Sequence, residues 1–179
     1  IMRLSDYHYP GPAYSTASYS KPATLLNTLR ALLGPETFDP IYRKYIRTWA
    51  YKHPKPWDFF NFFATESGRS LDWFWRTWYY ETWSLDQAVG AVETGNGGAT
   101  TITIVDRGWA PMPARVTVTR QNGEKLQLEV PVETWLSGAT QADISVPPGS
   151  PVVRVEIDPE GGFPDIDRRN NVWEAKSGS

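Results

Sequence analysis

The feature that most constrains this chain is a change in hydrophobic period near Leu85. Before it, apolar residues recur at three and four positions, the spacing of a buried helix face. After it, they alternate every second position, the spacing of a strand with one face buried. Leu25, Leu26, Leu29, Leu32 and Leu33 form the first helical run, with Pro22 suited to its first turn and Gly34 to its stop. Phe38, Ile41, Tyr42, Tyr45, Ile46 and Trp49 form a second stripe in a helix starting near Pro35. His53-Pro54-Lys55-Pro56 breaks the chain. A third helix carries Trp57, Phe59, Phe60 and Phe63 and ends at Gly68. Ser70 is the expected cap of a fourth, from Leu71 to about Trp83. Residues 1–20, rich in Tyr, Ser, Pro and Gly, read as irregular.

The second half alternates through Ile102/Ile104, Val116/Val118, Leu126/Leu128/Val130, Ile144/Val146 and Val153/Val155/Ile157. Asn122-Gly123 between two of these runs is a hairpin signal. Gly95-Asn96-Gly97-Gly98 reads as a turn or linker. Six or seven short strands at this spacing predict a small antiparallel sandwich of immunoglobulin or fibronectin III type. The expected division is 1–85, an α-helical bundle, and 86–179, a β-sandwich.

Composition narrows the function classes. Hydrophobic residues make up 40% and charged residues 21%, as in a globular domain. A net charge of -2 supplies no field for nucleic acid, and no apolar run reaches the roughly 18 residues of a membrane span. With no cysteine, disulfides and thiolate metal sites are excluded. Six of the nine tryptophans fall between Trp49 and Trp83. A sugar-stacking platform at Trp73–Trp83 is conceivable, but helical spacing favours packing between helices. Arg43, Lys44 and Arg47 lie opposite the stripe of their helix and read as a solvated face. Asp165, Asp167, Asn170 and Asn171 offer oxygens that calcium uses, but at no EF-hand spacing, which favours a hydrogen-bonded terminal turn.

Tyr14-Ser15-Thr16-Ala17-Ser18-Tyr19-Ser20-Lys21-Pro22, opening onto the leucine-rich helix, resembles the tyrosine segment of M1 zinc metallopeptidases. In that family a Tyr precedes a Lys by two positions at a helix start, often with a second Tyr five residues earlier. The similarity continues through Leu29–Gly34, Phe38, Tyr51–Phe60, Gly68–Trp75 and Trp78–Asp86. It closes with Asp158-Pro159 and Phe163–Asn171, which are similar to the C-terminal ends of bacterial members. The resemblance implies the second half of a thermolysin-like catalytic domain followed by a sandwich domain, in a parent that removes N-terminal residues from peptide substrates. It implies Tyr19 as the donor to the oxyanion and, with weaker support, Tyr14 as a pocket residue. A phenol keeps its proton at neutral pH, so it can stabilise charge that develops in the transition state.

The departure is equally informative. The family's zinc is held by H-E-x-x-H and a later Glu. This sequence has only His8 and His53 and no such motif. No cofactor is therefore expected in this chain, zinc is expected in the intact parent, and the chain reads as an inactive piece beginning after the zinc site. The alternative reading is a non-catalytic protein- or carbohydrate-binding module; a scaffold between subunits is a third. Export, frequent among bacterial relatives of this type, is a hint as to localisation.

Overall fold

The computed structural model describes residues 1, 2, 7 and 11–176. Contacts divide the chain into two units, Ile1–Thr82 and Trp83–Ser179.

The first unit is helical. It comprises α1 (Pro12–Ser15), a π-helical segment π1 (Thr16–Ser20), α2 (Lys21–Leu33), α3 (Pro35–Trp49), α4 (Pro56–Ser67), α5 (Asp72–Trp75) and a second π segment, π2 (Arg76–Tyr80). The stretch from Pro12 to Leu33 is one uninterrupted helix, because Ser15, Thr16, Ser20 and Lys21 all keep right-handed helical torsions. The expectation of an irregular segment up to residue 20 is corrected here. Proline in the first turn costs no hydrogen bond, and Pro12 occupies that turn. α4 begins where the Asp58 carboxylate accepts the Lys55 N–H at 2.7 Å. It ends where Gly68 takes φ 64°, which glycine adopts without a Cβ clash. Ser70 does not cap the next helix. The N-cap is Leu71, with no side-chain bond, and the helix ends at Tyr80 rather than near Trp83.

Leu25, Leu29, Leu32 and Leu33 of α2 pack into a core with Phe38, Ile41, Phe60, Phe63, Leu71, Phe74, Trp75 and Trp78. Ring geometry organises it. Phe60 stacks on Trp75 at 4.6 Å, Phe63 meets Phe38 at 5.4 Å, and Tyr45 meets Phe59 edge-on at 5.0 Å. Burying each such ring contributes about 1.5–3 kcal/mol. Ile46, expected in the stripe of α3, is 51% exposed.

The second unit is a two-sheet antiparallel sandwich. β1 (Gln87–Thr94), β2 (Thr100–Asp106) and β5 (Gln141–Val146) form one sheet. β4 (Lys125–Val130), β3 (Ala114–Arg120), β6 (Val152–Ile157) and β7 (Val172–Glu174) form the other. Ile102, Ile104 and Val146 of the first sheet and Val116, Val118, Val130, Val155 and Ile157 of the second fill the core with Trp135 of a short helix α6 (Val132–Leu136). Gly123 at φ 86° lets the Asn122-Gly123 turn join β3 to β4, with Gly123 N–H donating to Arg120 O at 2.9 Å.

Two features depart from simple alternation. The Gly95–Gly98 segment is the turn of the β1–β2 hairpin, closed by Gly95 N–H to Ala99 O at 2.9 Å; it is not an interdomain linker. In β6 the buried N-terminal residue is Val152 in place of Val153, because the β3–β6 register shifts between Thr119 and Arg120.

Candidate functional site

Tyr19 lies within π1. The residue is 65% exposed, and Tyr14 is 38% exposed. Their rings meet edge-on, with centroids 6.2 Å apart and planes at 71°. The two tyrosines singled out from the sequence therefore form one solvent-facing pair. Their position differs from the expected one. Tyr19 does not stand just before a helix N-terminus, since helix precedes it from Pro12 onward. The helix-dipole contribution expected there is accordingly discounted, because that effect is confined to the first turn.

Within the helical unit, a cavity of about 730 Å³ is lined by Ala13, Thr16, Ala17 and Lys21 and by Tyr79, Tyr80, Glu81 and Thr82; neither Tyr14 nor Tyr19 lines it. Lys21 Nζ donates to the Glu81 carbonyl oxygen at 3.2 Å across it. Burial holds this ammonium below the usual lysine range and pushes the Tyr79 phenol up to about 12. Tyr79 is thereby a poor acid, whereas Tyr19 presents its hydroxyl to solvent. Lys21, π1 and π2 carried no signal in the hydrophobic pattern. Lys21 stood out only as the lysine of the tyrosine segment, and the hint of an irregular turn was Pro22, which removes a backbone donor in the middle of the helix.

The residues present do not fit a zinc ion. A protein zinc site uses three or four His, Cys, Asp or Glu ligands. Among the described residues no group of three or more such side chains could hold a metal. His53 is exposed in the loop before α4, and His8 lies outside the described residues.

The remaining sequence candidates have other employment. Phe74, Trp75 and Trp78 are 0%, 4% and 5% exposed, so this part of the cluster is core rather than a stacking platform. Lys44 pairs with Glu66 at 2.6 Å on the exposed face of α3. Asp165 accepts from the Gln87 N–H at 2.9 Å, the Asp167 N–H at 2.9 Å and Asn171 Nδ2 at 3.2 Å. Asp167 pairs with the Arg169 guanidinium at 2.7 Å. Asp165 thereby fastens the C-terminal turn to the start of β1, and Asp167 braces the turn itself. No described helix is long and apolar enough to cross a membrane.

Comparison with known proteins agrees with the tyrosine segment. Residues 1–78 match the family model of the peptidase family M1 domain. Leucine aminopeptidase 2-1 of Meyerozyma guilliermondii is 32% identical over 87 residues, covering 45% of this chain and 14% of the relative. The structure of Legionella pneumophila aminopeptidase A in complex with aspartic acid superposes with a TM-score of 0.63 at 15% identity, covering 86% of this chain and 18% of that chain. At that identity the structural likeness speaks for the fold alone: helices followed by an antiparallel sandwich, as in the matched part of that structure. The chain thus spans a small part of the proteins it matches, and over residues 1–78 it is similar to the peptidase family M1 domain.

Proposed function

We propose that this chain is the C-terminal part of a zinc-dependent M1 aminopeptidase, with residues 1–85 completing the catalytic domain and residues 86–179 forming a separate sandwich domain. Tyr19 is its oxyanion donor, and Tyr14, in ring contact with it, is a substrate-pocket residue of the intact enzyme. The observation that carries the reading is the exposed Tyr14–Tyr19 pair, inside the segment that matches the family. A phenol at that place donates to the carbonyl oxygen of the scissile peptide as negative charge builds on it. Such a bond is stronger in the transition state than in the ground state, so it raises kcat more than it lowers KM. The zinc of the intact protein is held by residues outside this chain, which is therefore inactive alone.

The test compares the full-length protein with the 179-residue chain. Chromogenic aminoacyl substrates should be hydrolysed by the former, with loss of activity on chelation and recovery on adding zinc. The isolated chain should hydrolyse none. Chelation-resistant hydrolysis, or turnover by the isolated chain, would overturn the proposal.

A further inference from the structure

In a regular α-helix, positions five apart point about 140° away from one another, while positions four apart differ by about 40° and touch. Tyr14 and Tyr19 are five apart, yet their rings are in contact at 6.2 Å. π1 accounts for this. A π turn accommodates one extra residue, so side chains on either side of it keep the phase of residues four apart. The Lys21 N–H donates to Thr16 O, five residues back. Pro22 follows at once. It has no N–H for the Ser18 carbonyl, so the ordinary α-helical bond is absent at this point and the wide turn forfeits less.

Lys21 links this turn to its counterpart. π2 closes in the same way, with the Glu81 N–H donating to Arg76 O at 3.2 Å. The same Glu81 residue receives Lys21 Nζ on its carbonyl oxygen at 3.2 Å. One half-buried ammonium thus ties the C-terminal end of π1 to the C-terminal end of π2. Removing that tie favours rewinding π1 into α-helix. α2 is anchored in the core by Leu25, Leu29 and Leu32, so rewinding turns α1 and Tyr14 by about 100° relative to α2 and separates the rings.

We infer that Lys21 is a positioning residue. By clamping π1 against π2 it holds Tyr14 and Tyr19 on one helix face and fixes where the Tyr19 hydroxyl points. This rests on the reading of Tyr19 as oxyanion donor.

The experiment has two parts. In the full-length protein, Lys21→Met, Lys21→Arg and Tyr19→Phe are compared singly, and Lys21→Met is also combined with Tyr19→Phe. Misplacement of a catalytic group by an ångström costs up to about 100-fold. Lys21→Met should therefore lower kcat by about 10- to 100-fold with KM nearly constant. Lys21→Arg should recover most of the loss, and Lys21→Met should add almost nothing in the Tyr19→Phe background. In the 179-residue chain, magnetisation transfer between the two tyrosine rings should be lost in Lys21→Met and kept in Lys21→Arg. Amide protection at Leu29 and Leu32 should persist, which excludes simple unfolding. Ring contacts retained in Lys21→Met, or an equal loss of kcat in the wild-type and Tyr19→Phe backgrounds, would overturn the inference alone. A Tyr19→Phe protein with undiminished kcat would overturn the oxyanion reading and this inference with it.

Discussion

Asp106 is destabilised by its own charge, and replacing it should strengthen the sandwich. It ends β2 half-buried, accepting a long bond from the Gly108 N–H at 3.2 Å. Burial pushes its pKa up from 3.8 to about 6; the Gly108 bond opposes the rise, and the nearby Asp86 and Asp165 carboxylates add to it. The folded state therefore holds a proton that the unfolded chain releases between pH 3.8 and about 6. Folding stability falls as pH rises through that window, and the penalty is complete above it. A rise of roughly two pH units corresponds to about 3 kcal/mol. Partial exposure screens the charge, so about half of that, roughly 1.5 kcal/mol, is the working figure. Asp106→Asn keeps the acceptor for Gly108 and removes the charge. Near pH 7.5 it should stabilise the sandwich by about 1–2 kcal/mol, raising the urea midpoint by roughly 0.5–1.5 M. Towards pH 3 and below, where the carboxyl is mostly protonated in both states, the difference should shrink to near zero. Urea unfolding of the whole chain, read at the β3 amides of Val116 and Val118 by pulsed exchange, isolates the sandwich from the helical unit. A variant that is weaker at pH 7.5, or equally stabilised at pH 7.5 and at pH 3, would refute the argument.

Three further outcomes follow from the packing. Gly108→Ala would set a Cβ 2.3 Å from the Ser84 carbonyl oxygen. A backbone atom cannot retreat cheaply, so the sandwich should lose about 1–3 kcal/mol in the same unfolding assay. Arg120 is 4% exposed and donates to Ser150 O and Pro147 O, each at 2.7 Å. Arg120→Met strands both carbonyls and should cost about 2–4 kcal/mol by the same assay, while a loss under 1 kcal/mol would show that water replaces the guanidinium. Limited proteolysis should cut first between residues 81 and 86 and leave a resistant sandwich fragment; first cuts at Gly95–Gly98 would contradict a tight β1–β2 hairpin.

The periodicity carried the architecture because both halves bury one face of regular elements. Leu25, Leu29 and Leu32 follow α2, and Ile102 and Ile104 follow β2, without interruption. Legibility failed where geometry is irregular. β1 contains Gly90, where a Cβ would lie 2.9 Å from Val105 Cγ2, and its pairing with β2 shifts register between Val89 and Val92. That bulge erased the alternation by which β1 would have been found. α6, at five residues, is too short to show a helical period. The helix from Pro12 was hidden by a composition of turn-favouring residues, and π1 by its departure from the 3.6-residue repeat. The tyrosine pair was legible as a motif, but its face-to-edge contact was not, since five-residue spacing on an ordinary helix separates the rings.

The most direct measurement is kcat and KM of the full-length protein carrying Tyr19→Phe, with zinc content determined on the same sample. The ring is retained, so the half-exposed pair with Tyr14 should survive. Loss of one donor to the oxyanion should lower kcat by about 100- to 1000-fold, with KM and zinc content nearly unchanged. Tyr14→Phe should have a smaller effect. A Tyr19→Phe protein within a few-fold of wild-type kcat would contradict the account, and so would a loss confined to KM or accompanied by loss of zinc.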